Sequence, residues 1–147
     1  MAKKQEMQFA IEAFEIDRFS SSKPEANVRK DRLDYKIQHS FDTNVGKKLV
    51  HVTFIIEVLS GKQNPRKLTE IETRTTYKLK GIETDDGLRL PDELIVTFLS
   101  IAYSNTRGAL AAKAQGTIVG DVPLPLINPT AVVEKMKKGI KQKEKTS

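Results

Sequence analysis

The residue types that most often perform chemistry are scarce in this 147-residue sequence and form no catalytic arrangement. There is no cysteine, which excludes disulfides, thiolate nucleophiles and cysteine-ligated zinc. The two histidines, His39 and His51, fall on strands predicted to be neighbours, where they could meet as a cross-strand pair, but no further metal ligands accompany them. Asp85 and Asp86 suit a turn, and Ser104 has no nucleophile-elbow motif around it. We therefore predict no enzymatic activity, no metal and no cofactor.

The basic charge is concentrated at the C-terminal end of the chain. Lys and Arg number 25 against 19 Asp and Glu, which gives a formal net charge of +6. Residues 134–147 carry +4 of this charge, so the rest of the chain is nearly balanced. Clustered basic residues would favour nucleic acid, but no aromatic-and-basic RNA-binding signature accompanies them. We expect a solvated Lys-rich tail, and a basic nucleic-acid-binding oligomer remains the alternative.

Alternating apolar and polar residues predict four β-strands in the first 80 residues. We place them at 9–19, 33–41, 49–58 and 70–80. The alternation of the first strand changes phase at Ala13, which predicts a β-bulge. We expect the strands to form an antiparallel meander with one apolar and one charged face.

A long helix is predicted to follow the strands. Pro91 suits its first position, and Gly116 suits the position just after its end. Residues 94–103 are apolar on every side of the helix, so we expect burial on more than one side, with a second layer from another subunit. The small residues that begin at Gly108 would allow another element to approach closely.

The end of the chain contains an extended apolar segment and a second helix. Pro123 and Pro125 are incompatible with a central strand and predict a crossing segment. Asn128 is predicted to cap the last helix, with Pro129 at its first position. No apolar run is long enough to span a membrane, and the N-terminus lacks the apolar core of a signal peptide. A cytoplasmic protein is the default expectation.

Three motifs in order resemble the SecB-type export chaperones. The spacing of Phe and Ile over residues 9–19 is similar to the opening strand of that family. The end of the long helix, residues 107–117, resembles the family's R…R-G-T stretch, and residues 124–131 are similar to its L-x-P-V-N-F-D-A segment. Together with the order of elements, the resemblance runs from about residue 8 to residue 136.

This resemblance implies an α+β fold, in which a four-stranded antiparallel sheet is followed by a long helix, a proline crossing segment and a C-terminal helix. It implies one SecB-like domain over residues 1–147, with a core at 8–136 and a Lys-rich tail at 137–147. The implied activity is that of an ATP-independent holdase, a homotetramer built as a dimer of dimers. Its clients would be unfolded preproteins for export, or a dedicated polypeptide such as an antitoxin.

The resemblance also assigns residues to two surfaces. The client-binding candidates are apolar residues of the strands, the crossing segment and the last helix: Tyr35, Ile37, Phe41, Leu88, Leu90, Val122, Leu124, Leu126, Ile127, Val133 and Met136. The oligomer-interface candidates lie on the long helix: Phe98, Ile101, Tyr103, Gly108, Ala111 and Ala112.

The sequence also departs from that family. Ser21 and Pro129 stand where the family has aromatic residues. Classical members are strongly acidic and use that surface to dock the translocase motor SecA, whereas this chain is nearly neutral outside its basic tail. The nearly neutral charge of this chain therefore makes docking to that motor an unfavoured expectation. A structural assembly protein that uses the same fold without clients is the remaining alternative.

Overall fold

The computed structural model describes residues 8–21, 33–60, 66–80, 90–115, 117, 119 and 128–135 of the chain. The strands and the long helix follow one another in the predicted order: β1 (Gln8–Ser21), β2 (Leu33–Asn44), β3 (Leu49–Ser60), β4 (Arg66–Lys80) and α1 (Asp92–Lys113). Residues 129–135 form a further short helix. The predicted α+β fold class is confirmed, while the proline crossing segment and the Lys-rich tail lie outside the described residues.

The four strands form one antiparallel sheet in the order β1-β4-β3-β2. Only β2, β3 and β4 follow one another as a meander, and β1 pairs with β4 instead of β2. The predicted four-stranded meander was therefore wrong. The physical reason is that residues 22–32, which join β1 to β2, exceed the two to five residues of a tight hairpin, so β1 is not held beside β2. As a result, β1 and β2 form the two edges of the sheet.

The β1 strand is irregular at two places. Its pairing with β4 skips one residue at Glu12 and another at Asp17. The predicted bulge is therefore confirmed one residue before Ala13, and the second was not predicted. The first extra residue puts Phe14 and Ile16 on the same face of the sheet as Phe9, and the second keeps Phe19 on that face.

The core lies between this sheet and one side of α1. The alternation of β3 is strict, and the five residues that face the helix are at most 1% exposed: Val50, Val52, Phe54, Ile56 and Val58. The helix contributes residues spaced three or four apart: Phe98, Leu99, Ala102, Tyr103, Thr106 and Leu110. This is the pattern of a helix that buries one stripe against a sheet.

Aromatic side chains attach the first half of α1 to the sheet. The rings of Tyr77 and Phe98 stack with their centroids 4.1 Å apart, and the edge of Phe9 meets Phe98 at 4.9 Å. The Tyr77 hydroxyl donates a hydrogen bond of 2.7 Å to the Phe98 carbonyl oxygen. Burial raises the pKa of Tyr77 well above its ordinary value. Farther along the helix, the Tyr103 ring lies 5.5 Å from that of Phe54.

The helix starts follow the sequence closely. Pro91 has an extended backbone, with φ −60° and ψ 147°, and occupies the N-cap position without a side-chain hydrogen bond. The helix therefore begins at Asp92, one residue later than predicted. The predicted cap of the last helix is confirmed, because the Asn128 Oδ1 accepts hydrogen bonds from the backbone N–H groups of Thr130 and Ala131 at 3.1 and 3.3 Å.

A buried pair of hydroxyl groups joins β4 to the second half of α1. Thr106 Oγ1 donates to the Ala102 carbonyl oxygen and lies 2.7 Å from Thr73 Oγ1, which can then donate to it. We expect Thr106→Val to lower the free energy of unfolding by about 1–3 kcal/mol, because it leaves the Thr73 hydroxyl buried without a partner. Urea unfolding measures this change.

Two further variants, Thr73→Val and the double variant, test whether the two hydroxyl groups are coupled. Thr73→Val should cost less than Thr106→Val, and the double variant should cost no more than Thr106→Val alone, since no hydroxyl then remains buried without a partner. Strict additivity of the two single changes would contradict this coupling.

Candidate functional site

The helix-facing side of β2 carries a half-open row of side chains. The residues are Tyr35, Ile37, His39 and Phe41, which we call the β2 strip. In the described part of the chain no strand pairs with the outer side of β2, so no described strand covers that flank of the row. Its three apolar members are half-buried and pack against the core, and His39 is exposed. All three were predicted as client-binding residues, and the structure brings them together on one edge.

An open depression surrounds the middle of this edge. Its volume is about 530 Å³, and it is lined by residues from both faces of the sheet: Ile37, Gln38, His39, Ser40, Thr53 and Ile55. Successive residues of a strand point to opposite faces, so Ile37 and His39 belong to the helix-facing side and the other four lining residues to the outer face. The depression therefore adjoins the β2 strip at these two residues and lies otherwise along the outer face of the sheet.

The two histidines lie on opposite faces of the sheet. His39 is opposite Phe54 in the β2–β3 register, with the ring centroids 6.1 Å apart, while His51 is opposite Asp42. His51 Nδ1 lies 2.9 Å from Thr76 Oγ1 on the outer face. The two histidines therefore do not meet as a cross-strand pair, because the register offsets them and the alternation of the strands places them on opposite faces. No group of three or more metal-ligating side chains occurs among the described residues.

Burial dominates the electrostatics of the β2 strip and its neighbours. Desolvation lowers the pKa of His39 below its ordinary value and raises that of Tyr35. Burial also raises the pKa of Tyr103, although the positive charge of Arg107 acts in the opposite direction. The hydroxyl oxygen of Tyr35 is buried and has no hydrogen-bond partner in the described part of the chain. This edge therefore holds a buried hydroxyl group that the described residues do not saturate.

A second apolar row lies on β1 and was not among the predicted site residues. Ile11, Phe14 and Ile16, which we call the β1 strip, are 50%, 36% and 38% exposed. Their side chains lie on the face of the sheet against which α1 packs. The helix packs over β3 and β4, however, and leaves the β1 strip exposed. The alternation identified them as one side of a strand. It did not show that the strand lies at the sheet edge, where no other described element covers it.

The structure divides the predicted interface residues of α1 into two groups. Phe98 is fully buried and Tyr103 is 4% exposed, both against the sheet of the same chain. The prediction that they meet another subunit is therefore corrected, since the helical stripe that contains them is already covered. Ile101 is half-buried and Gly108 is exposed. Ala111 and Ala112 are exposed as well, so these four remain interface candidates.

The remaining predicted binding residues have different positions. Leu90 is half-buried and packs against the core just before α1. Val133 is only 5% exposed and belongs to the core, so its assignment to client binding is corrected. The other candidates lie outside the described residues: Leu88, Val122, Leu124, Leu126, Ile127 and Met136.

Comparison with known proteins adds a relation at the level of the fold. No protein-family model and no curated protein matches the sequence. A SecB-like chaperone of Mycobacterium tuberculosis, solved in complex with a ChAD peptide from the HigA1 antitoxin, matches with a TM-score of 0.57. The match covers 82% of this chain and 90% of that chain, with 11% sequence identity. The chain has a SecB-like fold.

A second solved structure is more distant. It is a protein of unknown function from Streptococcus agalactiae, with a TM-score of 0.42 and 6% identity over 83% of this chain and 98% of that chain. A likeness at this level carries no argument about function. None of the helices among the described residues is long and apolar enough to cross a lipid bilayer.

Proposed function

We propose that this protein is an ATP-independent chaperone that binds non-native polypeptide chains. The observation that carries the proposal is the β2 strip, a half-open apolar row at the sheet edge of a SecB-like fold. A structural neighbour with this fold was solved with a bound peptide from an antitoxin. The sequence contains no phosphate-binding loop that would link binding to nucleotide hydrolysis.

The binding surface combines the β2 strip with apolar residues elsewhere in the chain. Leu90 is available near the same core, and the crossing segment supplies candidates such as Leu124 and Leu126. Many shallow apolar contacts bind a range of unfolded segments, because none of them demands one side chain. An extended client along β2 would also satisfy backbone groups at the sheet edge. A folded protein would present neither feature, so binding would select non-native chains.

The charge distribution favours a dedicated client over general export. The chain is nearly neutral outside its Lys-rich C-terminal residues, so it lacks the acidic surface expected for docking to the SecA motor. We propose an antitoxin-like polypeptide as the client and the cytoplasm as the site of action. Unfolded preproteins remain the second class of client.

The working form in this proposal is a homotetramer of single-domain subunits. The side of α1 that faces away from the sheet offers the apolar Ile101 and three small residues, Gly108, Ala111 and Ala112, which allow close approach of a second helix. This surface would be the second layer that the apolar character of α1 requires. Light scattering of the purified protein measures the assembly directly.

The deciding experiment is an aggregation assay with an unfolded test protein. At equimolar assembled protein we expect aggregation on dilution from denaturant to be suppressed without added nucleotide. Suppression should persist at high salt, since apolar contacts carry it, whereas phosphate-based binding weakens linearly in log salt. No effect on aggregation or refolding would contradict the chaperone assignment, and binding to nucleic acid that salt abolishes would favour the alternative.

A further inference from the structure

His39 is the one polar residue in the otherwise apolar β2 strip. It lies between Ile37 and Phe41 on the same face of the strand, with its ring beside Phe54. Its side chain is exposed, and neither ring nitrogen has a hydrogen-bond partner among the described residues. An imidazole here interrupts a surface that would bind apolar chains more strongly without it. It must therefore meet water or a polar group of the bound chain.

The surroundings of His39 supply donors and no carboxylate. The residues of β2, β3 and β4 that face the helix include no Asp or Glu in the described part of the chain. On this side the strands carry two further titratable side chains, Tyr35 on β2 and Tyr77 on β4, and β3 contributes none. From α1, Tyr103 interacts with Tyr35 and with the positive charge of Arg107. Desolvation without a compensating anion explains why the pKa of His39 is lowered.

We infer that the β2 strip prefers client segments in which an acidic residue stands between two apolar residues, each two positions away. The inference rests on the proposed function. An extended client paired along β2 would direct alternate side chains to the helix side, next to Ile37, His39 and Phe41. A client carboxylate opposite His39 supplies the anionic acceptor that the described strands do not place on this side of the sheet. Its apolar neighbours cover the flanking positions of the strip.

The chemistry of this contact depends on pH in one direction. A carboxylate beside the imidazole favours the imidazolium and so promotes proton uptake when the client binds. The resulting charge-assisted hydrogen bond is stronger than a neutral one. Binding of acidic segments should therefore tighten as the pH falls towards about 6, while the client carboxylate remains ionised.

The test uses three short labelled peptides and fluorescence anisotropy at about pH 6 and about pH 8. The first carries Glu between two Leu at two-residue spacing, the second carries Gln in its place, and the third moves the same Glu by one position to the opposite face. Because the first and third have equal charge, their difference excludes general attraction to this basic protein. We expect the first peptide to bind about threefold to tenfold more tightly than either control at pH 6. The difference should shrink at pH 8.

The matching variant is His39→Gln, which keeps a polar side chain of similar reach and cannot titrate. It should bind all three peptides equally and lose the pH dependence, with an unchanged circular dichroism spectrum. Equal binding of the three peptides by the unmodified protein would overturn the inference and leave the chaperone proposal intact. If the protein bound none of the three peptides and no unfolded test protein, both the acidic preference and the chaperone proposal would be overturned.

Discussion

Replacing Phe98 with alanine should lower the free energy of unfolding by about 3–5 kcal/mol, the largest effect on stability that we expect for a single change in this chain. Phe98 is fully buried, stacks on Tyr77 and receives the edge of Phe9. Its removal leaves a cavity between α1 and β4 that rigid neighbours cannot close. Urea unfolding at several protein concentrations measures the loss.

The concentration series shows whether Phe98 packs in the core of one chain or at an interface between subunits. If its contacts lie within one chain, the loss is the same at every protein concentration. Ser104→Ala on the exposed side of α1 is the matched control and should change stability by no more than about 0.5 kcal/mol. A loss for Phe98→Ala that disappears on dilution would restore Phe98 to an interface between subunits.

Replacing Ile37 with aspartate should weaken client binding by about tenfold to a hundredfold, the largest functional effect that we expect. Covering an isoleucine side chain contributes roughly 1.5–3 kcal/mol, and a carboxylate in its place must be desolvated when a client binds. The measurement is the dissociation constant of a labelled unfolded polypeptide by anisotropy, together with the unfolding curve of the variant.

The matched control for this change is the adjacent residue on the same strand. Gln38→Asp introduces the same charge one position away, on the outer face of the sheet, where Gln38 lines the depression but is not part of the β2 strip. It should leave binding of an apolar client within about twofold. Equal losses for the two variants would mean that charge on the edge, and not the helix-side row, controls binding. Ile37→Ser provides a smaller change if the aspartate variant fails to fold.

Most of the fold could be predicted from local patterns because those patterns directly report burial. The alternation of Val50, Val52 and Phe54 required a strand with one dry face, and this face is fully buried. Asn128 before Pro129 required a helix start, and the Asn side chain caps the helix. These features depend on residues that are close in sequence, so they can be predicted from the amino-acid sequence alone.

The errors arise where distant parts of the chain decide. No local pattern determines whether β1 pairs with β2 or with β4, and the pairing with β4 makes β1 an edge that leaves Phe14 exposed. The apolar surface of α1 did not reveal which residues its own sheet would cover. Phe98 and Tyr103 were therefore assigned to an interface although they belong to the core of the chain. Their spacing from Ala102 and Thr106 along one stripe was the signal that could have shown it.

The two skipped residues of β1 bear on the risk that identical chains add to this exposed edge. A long, flat edge with exposed apolar side chains is a template on which identical chains can add without limit and form fibrils. At Glu12 and Asp17 the pairing is interrupted, which bends and twists the strand, and each interruption places an acidic residue beside the exposed Ile11 and Ile16. These kinks limit how far an identical strand could align in register. An interrupted edge of this kind can carry exposed apolar side chains and still be a poor template for identical strands.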